Sequence, residues 1–220
     1  MSGLLKSQIN CLKAVNILKI KDMKLSKGVI TLIIILGVLL LIFLWGKSVY
    51  NGMVTQEEHV TTAWSQVENV YQRRADLIPN LVATVKGYAS HEQETLEGVV
   101  NARAKATQTT IDPANISPEN MARYQQAQGE LSQALGRLMM IVENYPDLKA
   151  NQNFLELQAQ LEGTENRITV ERQKYNEAAR KYNTTIRLFP KNIFAGIFGF
   201  EKKLYFEAKE GTENAPIVQF

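Results

Sequence analysis

His91 and Glu92 are the first neighbours in this chain that could share a chemical step, because a His-Glu pair opens the metalloprotease motif in which a second His one helical turn on completes a zinc face. Position 95 is Thr, so the second ligand is missing. His59 lies too far away in the chain to help, with no acid at metal spacing beside it, and both His residues are expected to be structural. The single cysteine, Cys11, leaves no intramolecular disulfide and no cysteine-based metal cluster. No apolar stretch precedes Cys11, which argues against lipoprotein modification. Nor does spacing place a nucleophile beside a base. Catalytic, metal-ligating and cofactor-binding residues are therefore not assigned, no cofactor is expected, and no small-molecule substrate is evident.

Two polar clusters fall inside apolar patterns instead. Arg73-Arg74-Ala75-Asp76 precedes Leu77-Ile78-Pro79-Asn80-Leu81-Val82, and Thr164-Glu165-Asn166-Arg167 sits in the middle of the longest helical pattern. If those two helices pack, Arg74 or Asp76 can pair with Glu165 or Arg167 across the interior. Arg73, Arg74, Asp76, Glu165 and Arg167 thus form a candidate buried network, of a kind that fixes register more than it adds stability. The competing reading leaves most of these charges in solvent. Tyr175-Asn176 and Tyr182-Asn183 recur seven residues apart, which puts both rings on one helical stripe, expected to pack with hydroxyls reaching a rim.

The elements that hold these residues begin with an uncharged apolar run, Val29 to Trp45, bounded by Lys27 and Lys47. At about 1.5 Å per residue it is roughly 26 Å long as a helix, enough with its flanks to cross a hydrocarbon core of about 30 Å. It lacks a polar face and is followed by no small-residue cleavage site, so an uncleaved signal-anchor is expected rather than a cleaved signal. Trp45 and Tyr50 stand where amphipathic rings favour headgroups. Six lysines and one aspartate precede the run, and after Lys47 no Lys or Arg occurs until Arg73. Basic flanks stay in the cytoplasm, which places residues 47–220 on the outer or periplasmic side of a bacterial cytoplasmic membrane. Met23 offers an alternative start that would leave only Lys24 and Lys27 before the run. Without its first 28 residues the chain carries 19 basic and 21 acidic side chains. The overall charge of +3 therefore belongs to the leader, and nucleic acid is not an expected partner.

Beyond the anchor the pattern is helical almost throughout, at spacings of three and four. Val60, Trp64, Val67, Tyr71, Ile78, Leu81 and Val85 mark one helix, interrupted by Pro79, where a kink is expected. Its periodicity resumes at Tyr88 and stops near Thr107. Ser117-Pro118-Glu119 starts a second helix with an N-cap and a first-turn proline, and Tyr145-Pro146-Asp147 ends it. Phe154 to Phe189 forms a third, closed by Pro190. No strand alternation and no phosphate-binding glycine loop is present. The predicted architecture is an all-α antiparallel bundle of about four long helices over residues 47–190. It follows a basic segment at 1–28 and a single transmembrane helix at 29–46. Residues 191–220 supply an apolar cap, a short helix over Lys202–Lys209 and a tail. Ile193, Phe194, Ile197, Phe198 and Phe200 are too apolar for water and are expected to close the open end of the bundle; contact with the membrane or a partner is the functional alternative.

Ala63-Trp64-Ser65, Gln72 to Val82, Val85-Lys86-Gly87-Tyr88-Ala89, His91-Glu92, Tyr145 to Asn151, Thr164 to Ile168, both Tyr-Asn pairs, Phe189-Pro190, Gly199-Phe200 and Phe206-Glu207-Ala208 together resemble the bacterial LemA family. The resemblance spans about residues 30–220. It implies a single-pass anchor followed by a long-helix bundle, and it supplies neither an enzyme activity nor a set of site residues. The leading expectation is an envelope scaffold or interaction module that lies in the lipid bilayer, self-associates and binds envelope proteins. A signalling protein working through the long helix is the alternative, and an enzyme using Arg73, Arg74, Asp76, His91 or Glu92 ranks last.

Overall fold

The computed structural model describes residues 26–113 and 116–207. Expectations for residues 1–22, Cys11, Met23, residues 208–209 and the tail after them lie outside the described residues. The chain divides into two compact units, Met1–Val49 and Tyr50–Phe220, and a single helix, α1 (Lys27–Lys86), runs through the boundary. In the first unit no side chain from Val29 to Trp45 is buried, and the apolar window reaches a mean hydropathy of 3.0. This helix is long and apolar enough to cross a membrane.

Helices are the only regular structure of the second unit among its described residues. The rest of α1 is followed by α2 (Gln93–Gln108), α3 (Pro118–Val142), the one-turn α4 (Pro146–Lys149), α5 (Gln152–Arg187) and α6 (Lys191–Phe198). Directions follow from which residues meet. Along α1, Trp64 touches Tyr175 and Arg74 reaches Glu165, so α5 runs antiparallel to it. Tyr71 touches Tyr124, and Arg74 reaches Gln128 and Ser132, so α3 runs parallel. Lys105 pairs with Glu130 while Tyr145 reaches back to Glu92, which sets α2 against α3. The result is an up-down-up-down bundle of four long helices, as the periodicity predicts. One end of its core is a continuous cluster that includes Ile78, Leu81, Val85, Leu96, Leu131, Leu138, Leu148 and Phe154.

Local signals account for several boundaries. Ser117 accepts a hydrogen bond from the Asn120 amide with Pro118 in the first turn, and Asn151 caps α5 through the Phe154 amide. α1 continues through Pro79 and ends only at Lys86, which corrects the interruption expected there. A proline withdraws the donor that would bind the carbonyl four residues earlier. That carbonyl belongs to Ala75, and the Arg103 side chain on α2 donates to it through Nε at 2.7 Å. A neighbouring helix thus satisfies the acceptor that the proline frees, and the helix persists.

The expected short helix beginning at Lys202 is a second correction. Residues 201–207 have no helical structure and form a strap whose backbone groups bond to α5 side chains. Gly199 ends α6 with φ +74, a left-handed conformation that residues with a Cβ rarely adopt, and this turn directs the chain into the strap.

Candidate functional site

Arg74 is the node of the bundle's buried polar chemistry. Its side chain is 2% exposed and comes from the face of α1 that also buries Tyr71, Ala75 and Ile78. Nη1 donates to Glu165 Oε2 at 2.8 Å and to Ser132 Oγ at 3.0 Å. Nη2 donates to Gln128 Oε1 at 2.7 Å and to the Gln128 carbonyl at 3.3 Å. The Gln128 amide in turn donates to the Ala106 carbonyl at 3.3 Å, so one guanidinium links α1, α3 and α5 directly and α2 through Gln128. Its carbon also lies 5.1 Å from the centre of the Tyr71 ring.

Of the five charged residues singled out by position, Arg74 and Glu165 are brought together, while Arg73, Asp76 and Arg167 are exposed. Asp76 accepts from Gln72 on its own helix, and Arg167 sits 4.0 Å from Glu171, 72% exposed. These three occupy the solvent side of their helical turns, one or two positions from the buried stripe. Spacing places Gln128 beside Ala127 on the apolar stripe of its helix, and it is buried; its bond to Arg74, and that of Ser132, were missed because a mid-helix glutamine or serine carries no signal of the arginine it will meet. The resulting set is a positively charged fork with one half-exposed carboxylate and neutral acceptors, an arrangement suited to holding four helices in register.

The cleft between α1, α2 and α3 is lined by Glu68, Tyr71, Tyr124 and Gln128 among others. Burial pushes both phenols above their ordinary range, so neither offers a phenolate at neutral pH. Burial also raises Glu68. His59 and His91 are both exposed, and Glu92 accepts from the Tyr145 hydroxyl at 3.0 Å. Among the described residues no group of three or more His, Cys, Asp or Glu is placed to hold a metal ion.

The doubled Tyr-Asn motif has a clear task, and it falls on the asparagines as much as the tyrosines. Asn176 Nδ2 donates to the Phe206 carbonyl at 2.9 Å while its Oδ1 accepts from the Phe206 amide at 2.8 Å. Asn183 does the same with Lys203, at 2.8 and 2.9 Å. Tyr175 donates to the Leu204 carbonyl at 3.0 Å; burial pushes its hydroxyl up to about 12, so it stays a donor at physiological pH. Two primary amides seven residues apart on α5 thus stand in for a partner strand. Asn176→Ala and Asn183→Ala each leave one backbone donor and one acceptor of the strap unpaired, and each is expected to cost about 1–3 kcal/mol. Hydrogen exchange would show it as faster exchange of the Phe206 amide in the first variant and the Lys203 amide in the second, with α3 amides unchanged.

The apolar residues of the last helix are placed unevenly. Phe198 and Phe200 meet Tyr50, with ring centres 4.9 and 5.7 Å away, and Ala195 is buried. Phe194 stacks on Phe198 at 6.5 Å. Ile193, Ile197 and Phe198 nevertheless remain more than half exposed, so closure of the bundle's end uses only one side of α6.

Comparison with known proteins follows the same lines. A family model described as the LemA family matches residues 63–220. The magnetosome protein MamQ 2 of Paramagnetospirillum magneticum is 29% identical over 186 residues, covering 77% of this chain and 68% of that protein. MamQ of Magnetospirillum gryphiswaldense is 28% identical with the same coverage. Protein LemA of Metamycoplasma hominis is 24% identical over 178 residues, covering 81% of this chain and 76% of its own.

Proposed function

Because the chain belongs to the LemA family, we propose that it is a membrane-anchored scaffold of the bacterial envelope, presenting helix surfaces to envelope proteins and to further copies of itself rather than catalysing a reaction. In this reading the N-terminus is cytoplasmic, Val29–Trp45 spans the cytoplasmic membrane, and the bundle stands on the outer or periplasmic side. The observation that carries it is how four polar side chains within the bundle are used: the buried Arg74, Gln128 and Asn183 and the half-buried Asn176 bond to other helices or to the strap. A bundle that uses its interior chemistry to fix its own shape is suited to act through its surface.

Chemical cross-linking of the full chain in native membranes, followed by light scattering in detergent, tests the scaffold reading. The expected result is a discrete oligomer or a reproducible cross-linked partner. A strictly monomeric protein with no cross-linked species would overturn it.

A further inference from the structure

We propose that the exposed apolar face of α6 lies in the headgroup region of the bilayer that the Val29–Trp45 run crosses, giving the end of the bundle a second, reversible membrane contact. On α6, Ile197 is 70% exposed and Ile193 and Phe198 are more than half exposed, and just before the helix Leu188 and Phe189 are exposed as well. Ile193 and Ile197 are four residues apart, one turn along a single face, while Ala195 points inward and is buried. Large apolar side chains gathered on one side of a short helix mark a contact surface.

The length of chain available decides what that surface meets. Phe198 and Phe200 pack on Tyr50, and Tyr50 follows Trp45 by five residues. Five residues reach at most about 18 Å whatever their conformation. Chain length alone therefore limits how far Tyr50, with the rings packed on it, can lie from the end of the apolar run, whatever the arrangement of the two units. Charge fits the same occupant. Arg187 and Lys202 are exposed and Lys191 partly so, bracketing the apolar face with cations as in helices that lie on anionic lipid. Lys203 is engaged elsewhere, with Glu57 at 2.7 Å. A face this short binds lipid weakly by itself, but the span confines it to the surface, so its effective concentration there is high.

The inference rests on Val29–Trp45 being a span, and one experiment separates the two. Full-length protein carrying Cys11→Ser and a single nitroxide-labelled cysteine is reconstituted into vesicles of phosphatidylethanolamine and phosphatidylglycerol. Collision of the label with oxygen, which enriches in lipid, is compared with collision with a water-soluble nickel chelate. Gly37→Cys reports the span, and Met140→Cys, at an exposed position of α3, reports water. The oxygen-to-nickel ratio at Ile197→Cys is expected to lie clearly above that at Met140→Cys and below that at Gly37→Cys, as befits a site at headgroup depth. A ratio at 197 equal to that at 140, with 37 reading lipid, overturns the docking and leaves the anchor intact. A water-like ratio at 37 overturns both. Shielding from both colliders together with spin–spin broadening between labels assigns the face to a second copy of the chain, and likewise overturns the proposal.

Discussion

Arg74→Ala is expected to destabilise the bundle by about 3 kcal/mol, within the range for removing one member of a buried ion pair. Its effect arises mainly from the neutral side of the network. Glu165 is 54% exposed, so once orphaned it returns to water at little cost, whereas the Gln128 side-chain oxygen loses the donor that made its burial tolerable. The same asymmetry predicts that Glu165→Gln costs less than about 1 kcal/mol, as solvent-screened pairs do. Arg74→Lys separates charge from shape: an ammonium keeps the charge but cannot present the planar fork that meets Gln128 and Glu165 together, so it should fall between the other two. Urea unfolding of the full chain in micelles, followed by circular dichroism, measures all three. Equal stability of Arg74→Lys and wild type would show that charge alone matters, and an Arg74→Ala loss below that of Glu165→Gln would remove the network from its central place.

Trp64→Ala is expected to cost about 3–5 kcal/mol, the usual range for deleting a fully buried large aromatic. Trp64 is 0% exposed; its ring stacks on Phe206 at 5.4 Å, nearly parallel, and meets Tyr124 and Tyr175 at the same separation. Because Phe206 belongs to the strap, the loss is not confined to the interior. With its stacking partner gone the strap keeps the asparagine clasps, Tyr175, the Arg172 contacts and the Lys203–Glu57 ion pair. Limited proteolysis should therefore cut within residues 201–207 faster in Trp64→Ala than in wild type under conditions where α5 remains intact. Trp64→Phe, which keeps a ring at the site, should retain most of the protection. Unchanged cleavage in Trp64→Ala would mean that the stack does not hold the strap down.

Much of the fold is legible along the chain because helix periodicity and caps are local properties. Ser117-Pro118 announces its helix, and the apolar stripe from Phe154 to Ile186 can be counted without knowledge of its partner. Interactions that join distant segments left weaker traces. Lys202 to Glu207 contains ordinary helix formers, yet its backbone finds better partners in Asn176 and Asn183, and tertiary pairing outweighs intrinsic propensity. Arg74 drew notice as a charge within an apolar stripe, and Glu165 as a charge in the middle of the longest helix. Gln128 falls on the apolar stripe of its helix by spacing, but nothing in the sequence pairs it with that arginine, because the bond joins segments far apart in the chain. The Pro79 interruption was overestimated for the same reason: the residue that compensates for it, Arg103, lies on another helix.

That compensation also makes the pairing of α1 with α2 directional along its length. In an uninterrupted helix each carbonyl already has a donor four residues on, so a neighbouring arginine finds no preferred rung and can slide by a turn without losing an acceptor. Pro79 leaves one rung open, at Ala75, and Arg103 occupies it. The proline thus works as a detent: one notch on an otherwise smooth rod, into which the second helix clicks at a single height.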